Sequence, residues 1–371
     1  MTKSEKSTTQ PHFEILDGLR GVAAVMVVAF HILETFTDGN HLAQIINHGY
    51  LAVDFFYVLS GFVIGYAYDN RWSSGLTLGD FFKRRLVRLH PMIVVGTLVG
   101  LAFYFFGASS LFPLIGKASF GQMAVAVLMG LLLLPMPPAL DVRGWQEMFP
   151  LNGPMWTLFY EYVANILYAL FFRKLSNTVL AMLAFFAACA LVQFATSNAT
   201  GDLIGGWSVE PAQLRVGLMR LFYPFLAGLL LSRLVQPRHF TGSFWISGLL
   251  LAAVLAFPRI GGDDNLWQNG LYDALSVIIL FPLVVFIGAS GTVMGAFSQR
   301  FYRFLGEISY PIYIVHYPLI YVFTAWVVDG HRTLATTWPV GLVVFVASIG
   351  LAYFFLKVYD LPVRRWLASV G

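Results

Sequence analysis

Long apolar stretches separated by short polar loops make up almost all of this chain. The runs fall at about 16–36, 49–68, 91–109, 120–136, 153–172, 177–195, 215–232, 243–258, 271–290, 304–326 and 338–357. Several reach the roughly 20 apolar residues that an α-helix needs to cross a bilayer. No repeat, low-complexity tract or soluble appendix interrupts the series. The pattern predicts a single membrane domain over residues 16–358, with polar tails at 1–15 and 359–371.

Charge orients the runs. The densest basic stretch, "FFKRRLVRLH", carries Lys83, Arg84, Arg85 and Arg88 between the second and third runs. Excess Lys and Arg accumulates in cytoplasmic loops, so this loop and the N-terminus belong inside. Arg173 with Lys174, Arg233 with Arg238, Arg300 with Arg303, and Arg364 with Arg365 then also fall inside, and the acidic loop "GGDDN" from Gly261 falls outside. The scheme closes only if one run between 91 and 172 does not cross. The short segment 120–136, ended by Pro135, Pro137 and Pro138, is the candidate. The expected fold is an all-α integral membrane protein with about ten transmembrane helices, one re-entrant or peripheral apolar segment, and both termini cytoplasmic. The alternative is that 120–136 crosses and a neighbour does not.

Composition agrees. Of 371 residues, 58% are hydrophobic and 11% charged, with mean hydropathy +0.72. A soluble domain carries roughly 45–50% apolar and about 25% charged residues. The net charge of +4 is the positive-inside excess of such a protein and does not call for a nucleic-acid partner. A single cysteine, Cys189, excludes an intramolecular disulfide. The polar start "MTKSEKSTTQPH" lacks a small-residue cleavage site, so the first run is expected to be a permanent helix rather than a removed signal.

Ionisable residues inside a membrane are costly, and they face the bundle interior or a wet cavity. The first run holds two, Arg20 and His31. Eleven positions at about 100° each return to within about 20° of the start over a rise of ~16 Å. The two side chains therefore share a face, with Arg20 toward the cytoplasm and His31 toward the outer half. The second run enters from outside and carries Asp54 early. The fifth, "GPMWTLFYEYVANILY", also enters from outside and puts Trp156 and Glu161 in its first turns. In "FLGEISYPIYIVHYPLI", Tyr310, Tyr313 and His316 recur every three residues and occupy adjoining faces. Packing or an inter-helix hydrogen bond would explain any one of these residues. Together they place several ionisable groups at outer-half depth, as a buried polar reaction chamber requires. His12, His41, His48, His90, His239 and His331 lie in loops or near helix ends without metal-ligand spacing, so no metal site is expected.

The basic stretch also has two readings. Topology alone explains its cations, but Arg85 and Arg88 are spaced to share one helix face. The planar arginine fork suits bidentate phosphate binding.

These stretches together resemble the acyltransferase 3 family of integral-membrane acyltransferases. The matching segments are "LDGLRGVAAVMVVAFH", "VDFFYVLSGFVI", "FFKRRLVRLHP", "WTLFYEY" and "ISYPIYIVHYP", in the family's order from residue 16 to about 318. The resemblance implies transfer of an acyl group, usually acetyl, from cytoplasmic acyl-CoA to an acceptor hydroxyl at the outer face. Such acceptors are carbohydrates, glycolipids or glycosylated small molecules, as in polysaccharide O-acetylation, and the bacterial inner membrane is the implied location. Arg20 and His31 match the family's Arg and His on the first helix, and Asp54 the Asp before the Phe-Phe pair. Arg85 and Arg88 match the Arg-x-x-Arg pair, Glu161 the acidic residue after the Trp motif, and His316 the late His-x-Pro. Thr157 stands where the commoner form has Ser, and Phe159-Tyr160 precede the Glu. The sequence ends at Gly371, shortly after its last run, so the chain is expected to lack the hydrolase-like domain fused to some relatives. It would then act directly or hand the group to a separate acyl-accepting protein.

On this reading His31 is the general base, oriented by Asp54 or Glu161. Arg84, Arg85 and Arg88 hold the donor's phosphates at the cytoplasmic mouth, and Arg20 holds the donor partway along. Trp156, Tyr313 and His316 are candidates for the substrate site. No cofactor is bound permanently, and acyl-CoA, with acetyl-CoA the expected form, is the donor substrate. Direct transfer and a transient acyl-histidine both fit. The rival from another class is a transporter or flippase, which also needs buried charge near the midplane. It would move solute without releasing CoA thiol, and no inverted repeat shows in the hydropathy.

Overall fold

The computed structural model describes residues 13–234 and 241–369. His12, Arg238 and His239 lie outside the described residues. Among the described residues thirteen α-helices follow one another: α1 (Glu14–Glu34), α2 (Ala52–Ser73), α3 (Leu78–Tyr104), α4 (Phe120–Leu132), α5 (Met155–Leu170), α6 (Asn177–Ser197), α7 (Pro211–Leu234), α8 (Ser243–Ala256), α9 (Leu266–Leu275), α10 (Phe281–Ala289), α11 (Ala296–Asp329), α12 (Leu334–Phe355) and α13 (Leu361–Ser369). Short π-helical turns, Ser276–Leu280 and Leu356–Asp360, join α9 to α10 and α12 to α13. Among the described residues there is no strand, and every apolar run of the sequence falls on a helix. Among the described residues, eight helical segments are long and apolar enough to cross a membrane, while α4, α5 and α8 are shorter. The protein is an all-α membrane bundle. Leu361–Ser369, read from sequence as tail, is helical and continues α12 past its π-turn.

The segment around 120–136 forms the short helix α4. Its 13 residues span about 20 Å, less than the ~30 Å of a hydrocarbon core. Ser119 and Gln122 form a capping box at its start, and Leu133, at φ 53°, turns the chain at its end. The loops before and after α4 bond to each other: Leu114 N–H donates to Arg143 O at 3.3 Å and Trp145 Nε1 to Leu111 O at 3.1 Å. The segment therefore begins and ends at the same end of the bundle.

Two parallel helix pairs form the frame, and glycine sets their separation. A side-chain carbon at Gly228 of α7 would stand 1.9 Å from Val58 O in α2, and one at Gly61 of α2 would stand 2.1 Å from Phe225 O in α7. Between α1 and α11, a side-chain carbon at Gly21 would stand 2.5 Å from Leu305 O, and one at Gly306 would stand 2.6 Å from Cβ of Asp17. In lipid, where tails compete with side chains for apolar contact, such close backbone approach is a main source of helix association.

Prolines inside the helices leave carbonyls without their usual donor, and an unsatisfied carbonyl in lipid is costly. Side chains repair two of these. Asn152 Nδ2 donates to Ile314 O at 2.8 Å, four residues before Pro318, and to Gly96 O at 3.2 Å, tying α3 to α11. Tyr223 hydroxyl donates to Ile278 O at 2.9 Å, four residues before Pro282. Beside the main core, Tyr104, Phe112, Val142, Leu151 and Tyr321 form a second, smaller one under the loops at the α4 end. That cap is the roof of the site.

Candidate functional site: two cavities meeting at Tyr313

The bundle encloses two cavities stacked along α1 and α11. One, of about 450 Å³, lies at the end that carries the basic stretch and is lined by Asp17, Arg20, Arg85, Arg88, Glu161, Arg303, Glu307, Tyr310 and Arg364. The other, of about 600 Å³, lies toward the α4 end and is lined by His31, Glu34, Asp38, His41, Glu147, Trp156, Arg220, Tyr317 and Tyr321. Val53 and Tyr313 line both. The Tyr313 hydroxyl lies 2.9 Å from Thr157 Oγ1, and Tyr57 hydroxyl donates to Thr157 O at 3.1 Å. A thin hydrogen-bonded partition therefore separates the chambers.

The basic cavity follows from helix spacing. Arg85 and Arg88, three residues apart on α3, both face it, whereas Arg84, about 100° away round the helix, is exposed and does not line it. Arg85 Nη2 donates to Glu161 Oε1 at 2.7 Å, and Ser60 hydroxyl donates to the same oxygen at 3.5 Å. Arg20 pairs with Asp17 one turn earlier, and its Nε is buried without a hydrogen-bond partner. Arg303 and Arg364 add two cations that the sequence reading placed only at the inner face. Five arginines and four carboxylates, Glu14, Asp17, Glu161 and Glu307, line it. Arg20 pairs with Asp17, Arg85 with Glu161, Arg303 with Glu14 at 3.6 Å and Arg364 with Asp360 beside the cavity. Arg88, with the long and exposed Arg303 contact, gives the mouth cations that suit an anion with several oxygens.

In the second cavity His31 Nδ1 lies 2.8 Å from Glu34 Oε2. The carboxylate accepts a hydrogen bond from Nδ1–H, so Nε2 is left as the basic nitrogen. The imidazole stacks on His316 with ring centroids 5.5 Å apart and meets the edge of Tyr317 at 4.8 Å. His316 is fully buried, with Nδ1 3.0 Å from Ile312 O and Nε2 without a partner. Such a chamber can bind a hydroxyl compound and remove its proton. Among the described residues no group of His, Cys, Asp and Glu is placed to hold a metal ion.

Several sequence expectations are corrected here. His31 is oriented by Glu34, three residues along its own helix, and not by Asp54 or Glu161. Asp54 is fully buried and holds Arg220 through contacts of 2.6, 3.2 and 3.3 Å. Arg220 also donates to Tyr50 O and Gly205 O and lies 5.5 Å from the Trp156 ring centroid. Glu161 opens into the basic cavity, although Trp156, five residues earlier, lines the other. Five residues rotate a helix by about 140° and advance it ~7.5 Å, enough to carry the two side chains past the partition. Tyr313 sits between the chambers, and His316 backs His31 from the core.

Three residues were missed. Glu34 was detectable as an i, i+3 neighbour of His31. Arg220 is an arginine inside an apolar run, the signal that singled out Arg20. Glu147 lies in a loop with no periodicity to mark it.

Comparison with known proteins agrees with the family resemblance. A family model described as an acyltransferase domain matches residues 13–357. The chain is 39% identical over 166 residues to "Protein 2 in picA locus" of Rhizobium radiobacter, which covers 42% of this chain and 81% of that one. It is 25% identical over 354 residues to O-acetyltransferase OatA of Staphylococcus aureus, covering 88% of this chain and 53% of OatA, about half its length. Acyltransferase MdmB of Streptomyces mycarofaciens is 25% identical over 319 residues, 82% of this chain and 78% of MdmB. No solved structure matches. With the family model spanning nearly the whole helical bundle, the chain belongs to the acyltransferase 3 family and is an integral-membrane acyltransferase.

Proposed function

We propose that this acyltransferase moves an acetyl group from cytoplasmic acetyl-CoA to a hydroxyl of a carbohydrate or glycosylated acceptor on the opposite face of the membrane. The observation that carries the reading is the pair of cavities meeting at Val53 and Tyr313, one lined by arginines and the other by the His31–Glu34 pair. The positive-inside rule puts the arginine cavity in the cytoplasm. There Arg88, Arg303 and Arg364 hold the donor's phosphates, and Arg20 holds it further in. The thioester arm enters at the partition between Thr157 and Tyr313.

In the second cavity His31 Nε2 accepts the acceptor's hydroxyl proton as its oxygen attacks the thioester carbonyl. The C–S bond then breaks, and the imidazolium returns the proton to the departing thiolate. Glu34 stabilises the imidazolium between the two steps. Positioned general-base catalysis contributes about 10²–10⁴-fold. The similarity to an O-acetyltransferase and an acyltransferase supports acyl transfer.

Release of CoA thiol from acetyl-CoA by the purified protein in lipid nanodiscs tests the proposal. The wild type should release thiol in the presence of acceptor-bearing envelope material, and His31→Ala should lose at least about 100-fold in kcat. Solute movement without thiol release would favour a transporter.

A further inference from the structure

The second cavity holds, besides His31, a carboxylate that the proposed reaction does not use. Glu147 lies in the loop above α5, buried to 6% exposure, and its Oε2 accepts a hydrogen bond from Tyr321 hydroxyl at 2.5 Å. Its Oε1 lies 2.6 Å from where a side-chain carbon at Gly153 would sit, so only glycine there leaves that oxygen its place. Two edge-to-face ring contacts connect this pair to the base: Tyr321 to Tyr317 at 4.6 Å, and Tyr317 to His31 at 4.8 Å. Arg143 lies over the Tyr321 ring, 3.5 Å from its centroid, and so fixes the ring that fixes the carboxylate. Burial, partly offset by Arg143, pushes the Glu147 carboxyl up to about 7. Near neutral pH it can accept a hydrogen bond or donate one.

The charges of this cavity are one-sided. Arg220 is engaged by Asp54, and His41 is paired with Asp202, whose hydrogen bond raises the imidazole above its ordinary value. Glu34 is shared with His31; Asp38 and Glu147 line the space with no ion pair among the described residues, and Arg143 acts on Glu147 only through space, from behind the Tyr321 ring. A bound anion would meet Glu34, Asp38 and the ionised form of Glu147, which it could not neutralise, whereas hydroxyl and ammonium groups would find acceptors.

From this we infer that the Glu147–Tyr321 pair is the specificity-determining contact of the acceptor cavity, selecting an uncharged or amine-bearing polyol over an anionic one by accepting a hydrogen bond from a group beside the acylated hydroxyl. The inference rests on the reading of this cavity as the acceptor site.

Binding measured without any acyl donor tests it separately from transfer. Maltotriose, the chitosan trisaccharide and trigalacturonate are titrated by calorimetry against nanodisc-held wild type, Glu147→Gln and Tyr321→Phe. The wild type should bind the neutral and amine-bearing probes at least about tenfold more tightly than the anionic one. Glu147→Gln should reduce the preference for the chitosan probe over trigalacturonate by about tenfold. Tyr321→Phe, which unpins the carboxylate without removing it, should reduce it by less. Trigalacturonate binding as tightly as the others, no binding of the neutral and amine-bearing probes, or both variants weakening all three probes alike would overturn the inference. Absence of thiol release from acetyl-CoA in the same preparation would count against acyl transfer and leave these ratios readable.

Discussion

Glu34 stands one turn beyond His31 on α1, and its Oε2 lies 2.8 Å from the imidazole Nδ1. One helix therefore supplies both the proposed base and the group that fixes its tautomer, so no distant loop has to close to build the pair. Gln44 Nε2 donates to the other Glu34 oxygen at 3.2 Å and steadies the carboxylate.

The first prediction follows from that contact. Glu34→Gln keeps the size and a hydrogen bond but removes the charge that stabilises the imidazolium. Steady-state thiol release should show kcat lowered by about 10–100-fold with the KM for acetyl-CoA unchanged, a loss at the low end of general-base contributions. An unaltered kcat would mean that His31 does not cycle through its protonated form.

Arg88 tests the donor end. It lines the basic cavity but is exposed at the surface of α3, so its removal leaves no buried charge behind. Arg88→Ala should raise the KM for acetyl-CoA about tenfold with little change in kcat, as for one lost charge-assisted hydrogen bond. The effect should shrink as salt is added. Arg84→Ala, outside the cavity, should change neither constant.

Much of this was legible in the sequence, and the limits have physical causes. Hydrophobic run length located the helices because lipid forces every buried backbone group into a helix. The face shared by Arg20 and His31 was readable because helical geometry holds within one straight segment. The partners of those residues were harder to read. Asp54 meets Arg220 across 166 positions, and no local spacing encodes that pair. The partition was invisible for the same reason: Thr157 and Tyr313 meet only because α5 and α11 pack together. Glu161 was assigned to the wrong chamber because depth was judged without the rotation that separates it from Trp156.

The Asp54–Arg220 pair should be structural. Both side chains are buried, at 0% and 2% exposure, so removing one partner strands the other charge. Asp54→Ala should cost about 3–5 kcal/mol of stability, seen as a collapse of the folded, monodisperse fraction on size-exclusion chromatography. The double variant Asp54→Leu with Arg220→Met should recover most of that fraction. If it does not, Arg220's bonds to Tyr50 O and Gly205 O are what the fold requires.

Glu147 gives a pH dependence of known sign. Its carboxyl has an ordinary value of 4.5 and titrates at about 7 in the fold, chiefly because it is buried. The native state therefore keeps a proton that the unfolded chain has already lost. The stability this contributes is complete below about 4.5 and is lost as pH rises through about 7. Apparent melting temperature should fall between pH 5 and pH 8 in the wild type. The fall should be smaller in Glu147→Gln, and equal slopes in the two proteins would contradict the assignment.

Sidedness tests the two-chamber account most directly. In proteoliposomes with the protein in one orientation, acetyl-CoA is supplied only to the face carrying Arg88, and acceptor-bearing envelope material only to the other. The account predicts CoA thiol on the first side, acetylated acceptor on the second, and loss of both in His31→Ala. Thiol and acetylated product on the same side, or turnover in His31→Ala equal to that of the wild type, would contradict it.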